Sequence, residues 1–468
     1  MMLQGWRAWA ALLVVLVLAP AGGWSTPKKT PHKASSAGRK NAASKRQTGG
    51  CVAGRGTAKT RTTKSCGAAR PHVQPVKVTA AARAAALRQI ELTLRTPPAV
   101  PLEQPQGLAS FFAQLQALEE HSGPGALHLL QFGDSHTAAD EFTGQLRTLL
   151  QQRFGDGGAG FSLAGHPFPG YRIHGTTRTQ SSGWTTQGTH FRSLDDVELG
   201  LAGVAISASG VGEVAALDAE SENMELEYLQ QPGGGEIALY GDGTLLASIA
   251  TDGPLGPGRF AAAMPPGEHH FEVRTLTDAP VRLLGWVTEN LAGVTYEALG
   301  INGAEASLLL RWDESLHRPY LQQRQPALIV LAYGTNEAAN QDWTYESYRE
   351  MFRTLIQRFQ QTVPQASILV LGPADRYLRV PRVGWKPYAG TERIVRAQRD
   401  TCRELGCTYW DWQRRMGGPG SMRRWAYAQW AQGDYTHFTT EGYRELANAL
   451  FADLMQEYEL FQLQNPLP

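Results

Sequence analysis

Four short apolar runs are each followed, sooner or later, by residues recurring at helical spacing, and this alternation restricts the possible folds most. The runs are Leu127–Phe132, Ala327–Tyr333, Ser367–Leu371 and Thr408–Trp410. Behind the first stand Phe142, Leu146, Leu149, Leu150 and Phe154. Behind the others come Tyr345–Gln361, Thr391–Leu405 and a segment from about Thr440 carrying Tyr443, Leu446, Leu450 and Leu454. Helical periodicity between strand-length runs implies crossover connections, hence parallel strands buried on both faces. The expected fold class is α/β, a mostly parallel sheet flanked by helices. Two more helices are predicted ahead of the first strand, Ala80–Arg95 with Thr79 as N-cap, and Ala109–Glu120.

Between residues 175 and 289 the pattern changes. Met224–Leu229, Glu236–Tyr240, Leu245–Ile249 and His270–Arg274 alternate apolar and polar side chains, and Gly/Pro clusters such as Pro232-Gly233-Gly234-Gly235 separate them. Many short strands at turn-like spacing predict a β-sandwich, here inserted into the α/β domain because that character returns afterwards. Gly155-Asp156-Gly157-Gly158-Ala159-Gly160 fits G-x-G-x-x-G, yet it follows a helix and opens none. A tight loop is expected there, not a dinucleotide site.

The N-terminus has a different logic. Met1–Arg7 leads into the apolar run Ala8–Leu18 and then Ala19-Pro20-Ala21. Eleven apolar residues fall short of the roughly twenty that span a bilayer, so a cleaved secretory signal over residues 1–21 is expected. From Ser25 to Ile90 the chain holds no acidic residue while Lys and Arg recur. Residues 22–95 are read as a disordered basic tether suited to an anionic envelope surface, or else a spacer without a partner. The net charge of the whole 468-residue chain is only +1, and export argues against nucleic acid as a partner. The four cysteines form two local pairs, Cys51 with Cys66 and Cys402 with Cys407, open to disulfides or to free thiols. The remaining expected divisions are a hydrolase-like first part at 96–174, the insert at 175–289 and a second part at 290–468.

Four separated pieces carry candidate chemistry: Gly133-Asp134-Ser135, Gly300-Ile301-Asn302-Gly303, Gly334-Thr335-Asn336-Glu337, and Asp434 with His437. The first and third end apolar runs, where ligands of open α/β sheets bind. Nucleophilic ester cleavage needs a hydroxyl, a base of near-neutral pKa, a group orienting that base, and donors for the oxyanion. Each requirement has a residue here. Taken singly, each piece would pass for a turn or cap. There is no G-x-S-x-G elbow, no H-E-x-x-H zinc motif and no phosphate-binding G-K-[ST] loop. No metal or cofactor is expected.

In this order the pieces resemble the SGNH (GDSL-type) hydrolase superfamily, and within it the peptidoglycan O-acetylesterases of Gram-negative bacteria. Gly133-Asp134-Ser135-His136-Thr137-Ala138, the following Phe154-Gly155-Asp156-Gly157-Gly158 and an inserted β-domain carry that likeness. His136 stands where the family name has leucine, and Glu337 where an aspartate is frequent. The resemblance implies Ser135 as nucleophile, His437 as general base and acid, and Asp434 as its orienting group. It implies an oxyanion hole of the Ser135 and Gly303 backbone amides and the Asn336 side chain, with Gly300 a near rival for the glycine. It further implies an exported, periplasmic esterase for O-acetylated peptidoglycan, whose insert is like a carbohydrate-binding module. The alternatives are a glycan O-acetyltransferase, an esterase for another acylated envelope glycan, or a non-catalytic glycan-binding protein. Trp343, Trp385, Tyr388 and Trp425 are candidates for stacking on sugar rings.

Overall fold

The computed structural model describes residues 74–96, 98–123, 125–188 and 198–465. The expected leader, most of the tether, and Cys51 and Cys66 lie outside them.

The apolar runs become neighbouring strands of one parallel sheet. Its order across the sheet is Gly293–Gly300, Ala126–Gly133, Leu328–Ala332, Ser367–Leu371 and Thr408–Trp410. In chain order this is 2-1-3-4-5, so the winding direction reverses between the first and third strands, and a crevice opens at their carboxyl ends. Both faces are covered. Leu127, Leu129, Val330 and Leu369 pack under helices Ala109–Glu119, Glu141–Phe154 and Thr440–Gln464. Leu130, Phe132, Leu331 and Val370 pack under Glu314–Arg324, Tyr345–Thr362 and Gly390–Leu405. The period of two along each strand thus sorts side chains into two cores.

The strand Gly293–Gly300 was not among the predicted four. Its sequence continues the alternating texture of the insert and carries a glutamate, Glu297, at 0% exposure. That charge is held by Arg324, which also bonds Glu289 at 3.0 Å and His128 Nδ1 at 2.8 Å. A second correction concerns the tether. Its last part, Ala80–Arg95, is a helix capped by Thr79, with Ala86 and Ile90 in the core and the Arg83 side chain bonded to the Ala428 carbonyl. The ordered body therefore starts before residue 96.

The middle of the chain forms two antiparallel sheets. One runs Gly256–Ala263, Asn223–Gln230, Val281–Glu289, Ala205–Ala208 and Thr185–Gln187; the other runs Thr176–Gln180, Val214–Glu220, Glu268–Thr275, Glu236–Gly241 and Thr244–Ala250. Ile206, Leu226 and Leu283 from the first close on Leu217, Leu239 and Phe271 from the second in one core. The four alternating stretches predicted as strands all fall inside these elements. The boundary near 175 is looser than expected, since Gly160–Ser162 already pairs with Val281–Glu289. The preceding glycine run is a loop laid on the backbone of Val294, with Asp156 bridged to it, and it opens no helix. Cys402 and Cys407 are joined as a disulfide at the end of Gly390–Leu405. Among the described residues no helix is long and apolar enough to cross a membrane.

Candidate active site

The first strand ends in Gly133, and the chain turns at once into the one-turn helix Ser135–Ala138. The turn is tight because two glycines allow it. Gly133 and Gly300 face each other across the strands; a Cβ on Gly133 would lie 2.1 Å from Thr137 Oγ1, and one on Gly300 would lie 2.3 Å from the Ala138 nitrogen. Gln131, fully buried beneath, donates to Thr137 Oγ1 at 2.7 Å and accepts from the Tyr296 hydroxyl at 2.7 Å. Asp134 caps the turn. Its Oδ1 accepts from the His136 amide at 2.9 Å, and its carbonyl accepts from the amides of Thr137 and Ala138. The Ser135 amide is the one left at the head of the turn.

Ser135 Oγ lies 2.9 Å from His437 Nε2, and His437 Nδ1 lies 2.8 Å from Asp434 Oδ2. The loop holding the last two is self-supporting. Asp434 Oδ1 accepts from the amides of Thr436 and His437, both at 3.0 Å, while Tyr435 between them takes φ +54°. Burial by itself would raise the Asp434 pKa, but the hydrogen bonds and charge of His437 and the loop amides carry it below the ordinary carboxylate value.

Asn336 follows the third strand. Its Nδ2 donates to the Ala304 carbonyl at 2.9 Å and to Asp134 Oδ2 at a longer 3.3 Å. Glu337, the departure from the family pattern, acts as a clasp. It accepts from the amides of Ala306 at 2.8 Å and Gly334 at 3.0 Å, and so ties the third-strand turn to the loop after Gly300. Burial first, then the nearby acids, push its pKa up to about 8. Gly303 is exposed on that loop at φ +79°, a conformation that favours glycine, while Gly300 is packed inside the strand pair. The two glycines are thereby told apart: Gly300 makes room and Gly303 shapes the rim.

Three groups around the site were not singled out from sequence for any role. Asp134 links Ser135's turn to Asn336, and burial raises its pKa to about 6. His136 lies behind His437 at 5.4 Å between rings, hydrogen-bonded through Nδ1 to Tyr443 Oη at 2.8 Å, and burial keeps it neutral with a pKa of about 3. Arg376 bonds the Thr335 carbonyl at 2.6 Å and covers the Tyr388 ring. Its position beyond the carboxyl end of the fourth strand was the available signal. Of the aromatic candidates, Trp425 is fully buried and bonds the Met416 carbonyl, so it stacks on no sugar. Trp343 is tied to Glu305, whereas Trp385 and Tyr388 are half-exposed beside the site. Among the described residues no cluster of three or more His, Cys, Asp or Glu side chains is placed to hold a metal.

Residues 269–445 match the family described as GDSL-like Lipase/Acylhydrolase, a span containing Gly303, Asn336, Asp434 and His437 but not Ser135. Among solved structures, the chain is similar to one described as "Peptidoglycan O-acetylesterase in action, 5 min", at 26% identity and a TM-score of 0.64, over 75% of this chain and 96% of that one. It also aligns with a family two carbohydrate esterase from Cellvibrio japonicus, at 12% identity and a TM-score of 0.26, over 61% of this chain and 98% of that one. No curated protein matches it.

Proposed function

This chain carries a GDSL-like lipase/acylhydrolase domain, and from that premise we propose that it is a serine esterase removing O-acetyl groups from the muramic acid of peptidoglycan. The observation that carries the reading is the continuous relay of Ser135 Oγ, His437 and Asp434 at 2.9 and 2.8 Å. The similarity to a peptidoglycan O-acetylesterase across three quarters of the chain supports the substrate.

In this mechanism Ser135 Oγ attacks the acetyl carbonyl while His437 Nε2 takes its proton. Asp434 holds the Nδ1–H tautomer and stabilises the imidazolium that forms. The amides of Ser135 and Gly303 and the Asn336 side chain receive the oxyanion. Asn336 frees a hydrogen by yielding its longer bond, the one to Asp134. His437 then protonates the departing sugar hydroxyl. Water, deprotonated by the same imidazole, releases acetate from the acetyl-serine. The two antiparallel sheets are read as a carbohydrate-binding insert over 175–289, between two hydrolase parts, the first taking in the helix Ala80–Arg95 and the second running over 290–468. A leader at 1–21 and the basic stretch after it support an enzyme that works outside the cytoplasm, with the periplasm of a Gram-negative cell as the proposed location.

The test is acetate release from O-acetylated peptidoglycan, with a de-acetylated control. Ser135→Ala is expected to lower the rate at least about a thousandfold. Hydrolysis of p-nitrophenyl acetate through Ser135 without any release from peptidoglycan would keep the relay and overturn the substrate. Resistance of Ser135 to an organophosphonate would overturn the esterase.

A further inference from the structure

Many arginines of the described residues are ion-paired, as Arg147 is with Asp140 and Arg399 with Glu103 and Asp411. One region breaks that habit. Residues 376–391 contain Arg376, Arg379, Arg382 and Lys386 and no acid, and residues 412–433 contain Arg414, Arg415, Arg423 and Arg424 and no acid. Of these, among the described residues, only Arg415 has a carboxylate within ion-pairing distance, Asp453. In a chain of net charge +1 that is a local excess, and it does not lie at a random place.

Tyr377–Val380 and Gly384–Pro387 form a two-stranded antiparallel hairpin. Its root is bonded to both halves of the site. The Tyr377 amide donates to the Tyr435 carbonyl at 3.0 Å, next to Asp434, and Arg376 donates to the carbonyl of Thr335, next to Asn336. In the register Arg379 stands opposite Trp385 and Tyr377 opposite Pro387, so these four share one face. The rings of Tyr377 and Trp385 on that face lie 5.5 and 4.9 Å from Tyr435. Arg423 covers the Tyr377 ring from the neighbouring helix Met422–Ala428. Arg379, Arg382, Lys386 and Arg423 are all exposed. The hairpin thus stands at the rim with a half-exposed tryptophan and unneutralised cations side by side, against the loop that holds Asp434 and His437.

Neutral polysaccharide has no use for such a ridge. Unpaired cations raise the local concentration of an anionic polymer and fix its register, while an aromatic face packs on sugar C–H surfaces. We propose that this hairpin recognises carboxylates borne by the acetylated glycan, making the site selective for an acidic chain over a neutral one. In peptidoglycan those carboxylates are the lactyl group and the stem peptides. The inference deepens the function proposed above and rests on it for the identity of the glycan alone.

The experiment compares kcat/KM on O-acetylated peptidoglycan with that on p-nitrophenyl acetate, using the ratio of the two as readout. Loss of folding would abolish both activities, so the ratio reports selectivity. For R379E/R382E the ratio is expected to fall about tenfold, through KM, as expected for two screened surface charges with their sign reversed. R379K/R382K should keep it. Amidation of the peptidoglycan carboxylates should lower the wild-type ratio similarly and leave the R379E/R382E ratio unchanged, because each change removes the same contact. An unchanged ratio in R379E/R382E, or losses that simply multiply, would overturn the proposal. If peptidoglycan releases no acetate, acetylated pectin with free or methylated carboxylates replaces it. Carboxylate-dependent cleavage there would sink the peptidoglycan assignment and keep the hairpin's role. Equal cleavage of both pectins would sink the hairpin's role.

Discussion

Gly133 and Gly300 show how little freedom single positions have around the nucleophile. Gly133→Ala would drive a methyl group into Thr137 and toward the Ala332 carbonyl, 3.1 Å away, and break the bond from Gln131. We expect a stability loss of about 1–3 kcal/mol in denaturant melts, with loss of p-nitrophenyl acetate hydrolysis, because Ser135 rides on that turn. Glu337 gives a prediction in pH. Its folded pKa of about 8 lies above the unperturbed 4.5, so its contribution is complete below the lower value and is lost as pH rises through the higher. The Tm of the wild type should therefore fall between about pH 5 and about pH 9, and that of Glu337→Gln should fall less over the same interval. A parallel decline in both would remove Glu337 as the cause. At this scale the sequence was legible where a motif spelled out a role. Ser135, His437 and Asp434 are hydrogen-bonded in line and Asn336 reaches their turn through Asp134, while the joining work of Asp134 and Glu337 was silent. Capping and clasping leave no pattern beyond an acid near a turn, and such acids are common.

Elements were legible in proportion to their periodicity. The helices Tyr345–Thr362 and Gly390–Leu405 came out within a residue of expectation, since an amphipathic stripe has to repeat along its whole length. Gly293–Gly300 escaped because a strand buried on both faces, yet containing Glu297, looks like neither a hydrophobic run nor a half-exposed one. The partner that makes it possible, Arg324, is remote in sequence. Arg324→Met should cost about 3–5 kcal/mol in denaturant melts, because it strands Glu297 without its counter-charge. Pairing it with Glu297→Leu should recover much of that loss. The helix Ala80–Arg95 is legible as a helix while its docking is not, since alanines and arginines give no hint of it. Deleting residues through 95 removes Ile90 and Ala86 from the core and should lower stability by about 2–4 kcal/mol.

For the molecule as a whole, the alternation of strands and helices sufficed for a parallel sheet, and the change of texture sufficed to find where it is interrupted. The order of strands was not legible. Nothing local says that residues 293–300 return to lie beside residues 126–133, because that pairing is decided by which surfaces remain to be covered once both antiparallel sheets have closed. Yet this order sets the crevice in which Ser135 and Asn336 meet, so the position of the site depends on the least readable feature of the fold.

The hydrogen bond from Ser135 to His437 spans 302 residues of chain. A ribosome makes the serine well before the histidine, and between them lies an antiparallel module. Contacts this distant in sequence form late and slowly. Until the loop at residues 434–437 closes, Ser135 lacks its imidazole partner. A polypeptide that stops short of residues 434–437 therefore lacks the hydrogen bond that Ser135 makes in the folded protein, however complete the rest of its sheet.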